Sequence, residues 1–245
     1  MDLFTGVGVA LVTLLDDAGG VDTPATSSLA ADLVSRGMQA VLACGTTGEP
    51  ATLTDAERVE VIKGVRAAVP PGVPVLAGTG ATSVDRAAEL TAAAVAAGAD
   101  AILAWPPPGS DDLPGYYGEL AQMAGDRPLL AYHIPWISSP GVPVSSLAGL
   151  PVAGLKDSSG SPDRLLDEVA HYSGRTYVGS SALLALAGPL GGTGAILAVA
   201  NVEPELSCAA FAGDAAAQRQ LADVHLAVRE GGVPALKRIL AERRG

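Results

Sequence analysis

"AVLACGTTGEPATLTDAERVEVIKGV", Ala40 to Val65, decides the fold. It opens on a short run of small and β-branched apolar residues, Ala40–Ala43, the make-up of a strand buried on both faces. A polar turn follows, Gly45 to Gly48, and then a helix start. Thr54 and Glu57 stand in the capping-box relation, each side chain able to satisfy the other's backbone N–H. Strand, short turn and capped helix in close succession make one βα unit.

The same beat recurs along the chain. Gly6–Leu14, Val73–Ala77, Ala101–Ala104, Leu129–Tyr132, Val152–Leu155, Thr176–Val178 and Ala195–Ala198 read as further strands. Helical patterns stand between them. One has Thr23 as N-cap, Pro24 in the first turn and Gly37 just past its end; another starts from Ser161 and Pro162; a third stops at Gly98. Eight strands alternating with helices over about 200 residues argue for an α/β protein, a closed (β/α)8 TIM barrel. The rival is an open doubly wound sheet, which would place a glycine-rich loop after its first strand, and "VTLLDDAGG" has no G-x-G-x-x-G. From Asn201 the pattern is helical only. Residues 1–200 are therefore expected to form the barrel and 201–245 a short C-terminal helical extension packed on it.

Composition narrows the function classes. The chain has 245 residues, 49% of them hydrophobic, and a net charge of −11. That is ample for a core and argues against nucleic-acid or anionic-membrane binding. The basic stretch "KRILAERRG", Lys237 to Gly245, reads as the polar end of a helix. No run approaches the ~18 apolar residues of a membrane helix. The N-terminus lacks the basic region of a secretory leader. The two cysteines, Cys44 and Cys208, read as reduced thiols of a cytoplasmic protein. No zinc spacing occurs, and neither a metal nor a cofactor is expected.

In such barrels the chemistry lies at the C-terminal ends of the strands. Three ends carry it here: "GTTG" after the second strand, "YHIP" at the fifth and "KDSSG" at the sixth. Lys156 follows small residues, Val152 and Gly154, on its face. It fits a lysine reaching for the rim. It equally fits an amine that forms a Schiff base with a keto substrate, whose iminium then serves as electron sink. Tyr132 shares the parity of Leu130 and so can face Lys156, its hydroxyl a proton relay. A core tyrosine with a satisfied hydroxyl is the plainer reading. His133 points the other way, toward the helices. The Gly45, Thr46 and Thr47 turn offers N–H groups and hydroxyls that suit a carboxylate. Asp157, Ser158 and Ser159 are expected to shape the loop and the next helix start. "GGTG", Gly191 to Gly194, precedes the eighth strand and so lies at the far end of the barrel.

"GTTGEPATLTDAER", "YHIP", "GLKDSSG" and "GGTGAILAVANVEPE", in this order, resemble the dihydrodipicolinate synthase/N-acetylneuraminate lyase family from Phe4 to about Glu205. The resemblance implies a (β/α)8 class I aldolase or lyase that forms a Schiff base with pyruvate or a related 2-oxo acid. It puts the Schiff-base lysine on Lys156 and the catalytic tyrosine on Tyr132. It gives Thr46 the carboxylate and Thr47 the relay, and has the backbone at Gly179 and Ile196 line the keto-acid pocket. Small-molecule substrates and a homo-oligomer, dimer or tetramer, come with it.

Three departures redirect the expectation. No arginine follows "YHIP", where the family's synthases hold the aldehyde's carboxylate. Pro108 stands where a relay tyrosine enters a neighbouring subunit's site, and Ser180 and Ser181 replace common acids. Trp105 and Trp136 would then shape the second-substrate pocket, suited to a 2-keto-3-deoxy sugar acid or an aromatic aldehyde adduct. The alternatives are a dihydrodipicolinate synthase with an altered second site, and a non-catalytic barrel that binds a keto acid.

Overall fold

The computed structural model describes residues 3–244. Eight parallel strands close in sequence order: β1 (Gly6–Ala10), β2 (Ala40–Ala43), β3 (Val75–Gly78), β4 (Ala101–Ala104), β5 (Leu129–His133), β6 (Gly154–Asp157), β7 (Arg175–Val178) and β8 (Gly194–Leu197), with β8 pairing back on β1. The (β/α)8 TIM barrel is thus the observed fold. Around it lie α1 (Thr23–Ser35), α2 (Asp55–Ala68), α3 (Val84–Ala96), α4 (Leu113–Ala124), α5 (Pro162–His171) and the short α6 (Leu184–Ala187). After β8 come α7 (Pro204–Phe211), α8 (Ala215–Gln220) and α9 (Ala222–Arg244).

Several boundaries move for visible reasons. β1 ends at Ala10 rather than Leu14, because the Val12 N–H bonds to the side chain of Asn201 instead of a strand neighbour (3.1 Å). β6 starts later than expected and runs through Lys156 and Asp157, so the lysine sits in the strand, not after it. Asp22, not Thr23, caps α1, accepting from the Ala25 N–H at 2.8 Å. The Thr54–Glu57 capping box forms as read. Between β5 and β6 there is no α-helix, only a 3₁₀ segment, Val144–Gly149. Pro140, Pro143 and Pro151 crowd that connection, and each lacks the N–H a helix needs. The last helix is broken at Gly232, which takes φ 61°, with Pro234 just beyond.

Side chains alternate in two layers. The outward ones, such as Val41, Ala77, Ile102 and Leu155, join the helices in the large core. The inward ones, Leu42, Leu76, Leu103 and Leu130, fill the barrel. Phe4 and Tyr177 close the floor, their rings 4.7 Å apart, and the Tyr177 hydroxyl donates to the Phe4 carbonyl at 2.7 Å. Truncating a ring buried like Tyr177 costs about 3–5 kcal/mol. Asn201 closes the seam. Its amide donates to the Ala10 and Ala198 carbonyls (2.7 and 2.8 Å) while its oxygen accepts from Val12, joining the ends of β1 and β8.

Candidate active site

The register of β5 on β6 pairs Tyr132 with Lys156 and His133 with Asp157. Because side chains alternate, the first pair faces the barrel interior and the second faces α5. Lys156 is only 4% exposed and Tyr132 likewise. The Lys156 Nζ lies 4.5 Å from the centroid of the Tyr132 ring, a cation–π distance. Among the described residues no carboxylate pairs with this amine. The amine is held by shape and by the ring, which leaves its nitrogen open toward the cavity.

That cavity has a volume of about 410 Å³ and lies at the C-terminal ends of the strands. It brings together Lys156, Tyr132, Thr46, Thr47, Gly179 and Ile196, all anticipated from the sequence. Gly45 is set one step back. With Trp105 it lines a recess of about 20 Å³ that shares Thr46 and Tyr132 with the main cavity. Trp105 is therefore not part of the larger pocket, whereas Trp136, 65% exposed, stands at its rim. The threonine turn is a 3₁₀ segment, Thr46–Gly48, closed by the Gly48 N–H on the Gly45 carbonyl at 2.8 Å. The Thr13 hydroxyl donates to the Gly48 carbonyl at 2.8 Å and pins it from β1's side. Glu49, next in the chain, forms an ion pair with Lys237 of α9.

Ser158 corrects one expectation. Ser159 does shape the loop: its N–H and hydroxyl both donate to the Asp157 carboxylate at 2.8 Å. Ser158 instead turns into the cavity, its Oγ 3.1 Å from the Tyr132 hydroxyl. Gly179 makes the room, since a β-carbon there would collide with Ser158 Oγ. The signal was available, because Ser158 has the inward parity of Gly154 and Lys156. Ser180 and Ser181, noted in the sequence for the acids they replace, also line the wall, and sequence reasoning missed His225 and Arg229, which line it too. The last two come from the first half of α9, one helical turn apart, which the sequence offers only as packing surface.

Behind the strands the outward pair is tied down. The Val142 N–H donates to His133 Nδ1 at 3.1 Å. Arg164 of α5 lies 2.9 Å from Glu168 and 3.6 Å from Asp157, and donates to the Val142 carbonyl at 2.7 Å. Burial pushes the Glu168 carboxyl up to about 8, the Asp157 charge adding to it and Arg164 opposing it. Burial, with Arg164 adding to it, pushes His133 down to about 4. His133 is thus packed under a helix, as its parity indicated. "GGTG" is a turn at the opposite end, where the Thr193 N–H meets the Thr176 carbonyl at 2.9 Å. Cys44 is buried, its thiol pushed up to about 12 by burial, and both cysteines are free.

The amine and the phenol converge in a cavity at the C-terminal mouth of a closed parallel barrel, the end at which TIM-barrel enzymes place their sites. The comparisons narrow the class. The dihydrodipicolinate synthetase family model matches residues 3–231, and the chain belongs to that family of synthases and lyases. It is 36% identical over 233 residues to the 4-hydroxy-tetrahydrodipicolinate synthase of Pseudomonas savastanoi pv. phaseolicola, covering 89% of this chain and 80% of that protein. Its fold is similar to that of a dihydrodipicolinate synthase from Acinetobacter baumannii complexed with pyruvate. The TM-score is 0.83 at 29% identity, over 93% of this chain and 84% of the other. A prophage protein of the dihydrodipicolinic acid synthase family from E. coli K12, also in complex with pyruvate, gives 0.87 at 26% identity, over 98% and 88%.

Proposed function

We propose that the protein is a Schiff-base aldolase or lyase that makes or breaks a carbon–carbon bond between pyruvate, or a related 2-oxo acid, and an aldehyde. The observation that carries this reading is the Lys156 amine over the Tyr132 ring in a cavity that holds a threonine turn and, among the described residues, no aspartate or glutamate. Two solved family members that are similar in fold were crystallised with pyruvate, which supports the 2-oxo acid.

Lys156 attacks the keto carbon; the C–N bond forms and the carbonyl oxygen leaves as water after protonation. In the cleavage direction the C3–C4 bond breaks, its electron pair moves into the iminium, and the C4 hydroxyl gives up its proton as it becomes the aldehyde. Tyr132 carries protons in both steps. Thr46 and Thr47 hold the carboxylate, Thr47 with the relay, with Gly45 shaping their turn from behind, while the backbone at Gly179 and Ile196 lines the keto acid. The same reading takes residues 1–200 as the catalytic barrel and 201–245 as helices packed on it, and carries a cytoplasmic homo-oligomer without cofactor.

Borohydride reduction in the presence of pyruvate, read by peptide mass spectrometry, tests it. The expected result is a stable adduct on Lys156, absent in Lys156→Ala. An unmodified Lys156 overturns the reading and leaves the keto-acid-binding barrel. Identity to the Pseudomonas synthase favours a second reading within the class, condensation of pyruvate with aspartate semialdehyde. A coupled assay with those two substrates separates it from the sugar-acid cleavage favoured by the sequence.

A further inference from the structure

The charge in this cavity runs against the charge of the chain. The protein carries a net −11, yet the basic side chains that reach the cavity, Lys156 and Arg229, meet no acidic one among its described residues. A site with that lining attracts anions and concentrates them. Lys156 and the threonine turn account for one carboxylate, that of the 2-oxo acid. Arg229 is left over.

Arg229 is the arginine that lines this cavity among the described residues, and it has no acidic partner. Arg36, Arg66, Arg86, Arg164 and Arg243 each meet a carboxylate within ion-pair distance. No such partner faces Arg229 among the described residues. His225, one turn earlier on the same face of α9, is fixed by the Ser181 hydroxyl, 2.9 Å from its Nδ1. The break at Gly232 lets α9 do two things. Its second half pairs Lys237 with Glu49 beside the threonine turn, and its first half presents His225, Val228 and Arg229 to the cavity. The cation missing after "YHIP" thus enters the cavity from the C-terminal helix.

We propose that Arg229, with His225 beside it, is an anion subsite for the second substrate, so that the aldehyde half carries a terminal carboxylate or phosphate. The inference rests on the Schiff-base reading and names the substrate class that reading leaves open. It also turns the sequence-based preference for an uncharged or aromatic aldehyde half toward a charged one. The guanidinium fork matches either anion, and a hydrogen bond to a charged group is worth about 1.5–3 kcal/mol, or roughly ten- to hundredfold in binding.

The experiment compares charged and neutral aldehydes with pyruvate, in the natural chain and in Arg229→Gln. The pairs are succinic semialdehyde with butyraldehyde, and glyceraldehyde 3-phosphate with glyceraldehyde. The expected result is at least a tenfold kcat/KM preference for the charged member of one pair, which pair naming carboxylate or phosphate, falling about tenfold in Arg229→Gln. Arg229→Lys should restore part of it. A role for Arg229 in closing its helical segment would move the melting temperature and leave the preference alone, which overturns the proposal. So does the absence of a charged preference in a natural chain whose Lys156 traps pyruvate. Failure to trap overturns the Schiff-base reading, and this one with it.

Discussion

Two adjacent strands carry two opposite treatments of polar side chains. On the inner face of β5 and β6, Tyr132 and Lys156 are left nearly free: one ring contact and one hydroxyl partner, Ser158. On the outer face, one residue along, Asp157 is held by Ser159 and Arg164, and His133 by the Val142 N–H. A one-residue step separates the face that opens on the cavity from the face that anchors. Anchoring the outer residues fixes the strands, and fixed strands aim the inner ones without occupying them. The amine can stay open to substrate because its neighbour in sequence takes the structural load.

Tyr132→Phe should break the inner face most severely. It keeps the ring under Lys156 and removes the hydroxyl, so kcat should fall by about 10²- to 10⁴-fold. Melting temperature should change little, as a scanning calorimetry run would show. Arg164→Met should do the reverse. It leaves Asp157 and Glu168 buried together without their cation, which costs about 3–5 kcal/mol of stability in a urea titration. Activity per folded molecule below the transition should fall far less than in Tyr132→Phe. Equal activity losses in the two variants would erase the distinction between the faces.

The smallest effect concerns pH. The Glu168 carboxyl titrates near 8 in the fold, above the ordinary carboxylate range. An acid raised on folding is favoured protonated in the native state. Its contribution is therefore neutral below about pH 4.5 and grows unfavourable as the unfolded chain ionises and the folded one does not, up to about 8. His133, lowered to about 4, acts in the opposite sense below about 6.5 and is silent above it. Between pH 6.5 and 8 the natural chain should thus lose about 1–2 kcal/mol of stability, and Glu168→Gln should flatten that slope. Urea midpoints at a series of pH values check it.

The sequence showed the barrel because parallel strands buried on both faces leave near-continuous apolar runs, and glycines and prolines punctuate them. It showed Lys156, Tyr132 and the threonine turn because strand ends are where such folds put polar groups. Ser158 was legible by parity and was passed over, because the loop residues around it read so well as a turn. Asp22 was hidden by a threonine with equal claim to the cap. The absent helix between β5 and β6 was written in its prolines. His225 and Arg229 had no local signal at all. Only the break at Gly232 and the docking of α9 bring them to the cavity, and both are tertiary facts.

The Asn201 seam has a consequence in time. Its side chain reaches Ala10 and Val12 across sequence separations of 191 and 189 residues. Contacts of that span demand closure of nearly the whole chain before they return any stability. On the ribosome, β1 must therefore wait, one edge unpaired, until the eighth strand and the asparagine behind it have been made. Asn201→Ala should lengthen that vulnerable interval more than it alters the finished barrel, so its first symptom would be aggregation during synthesis.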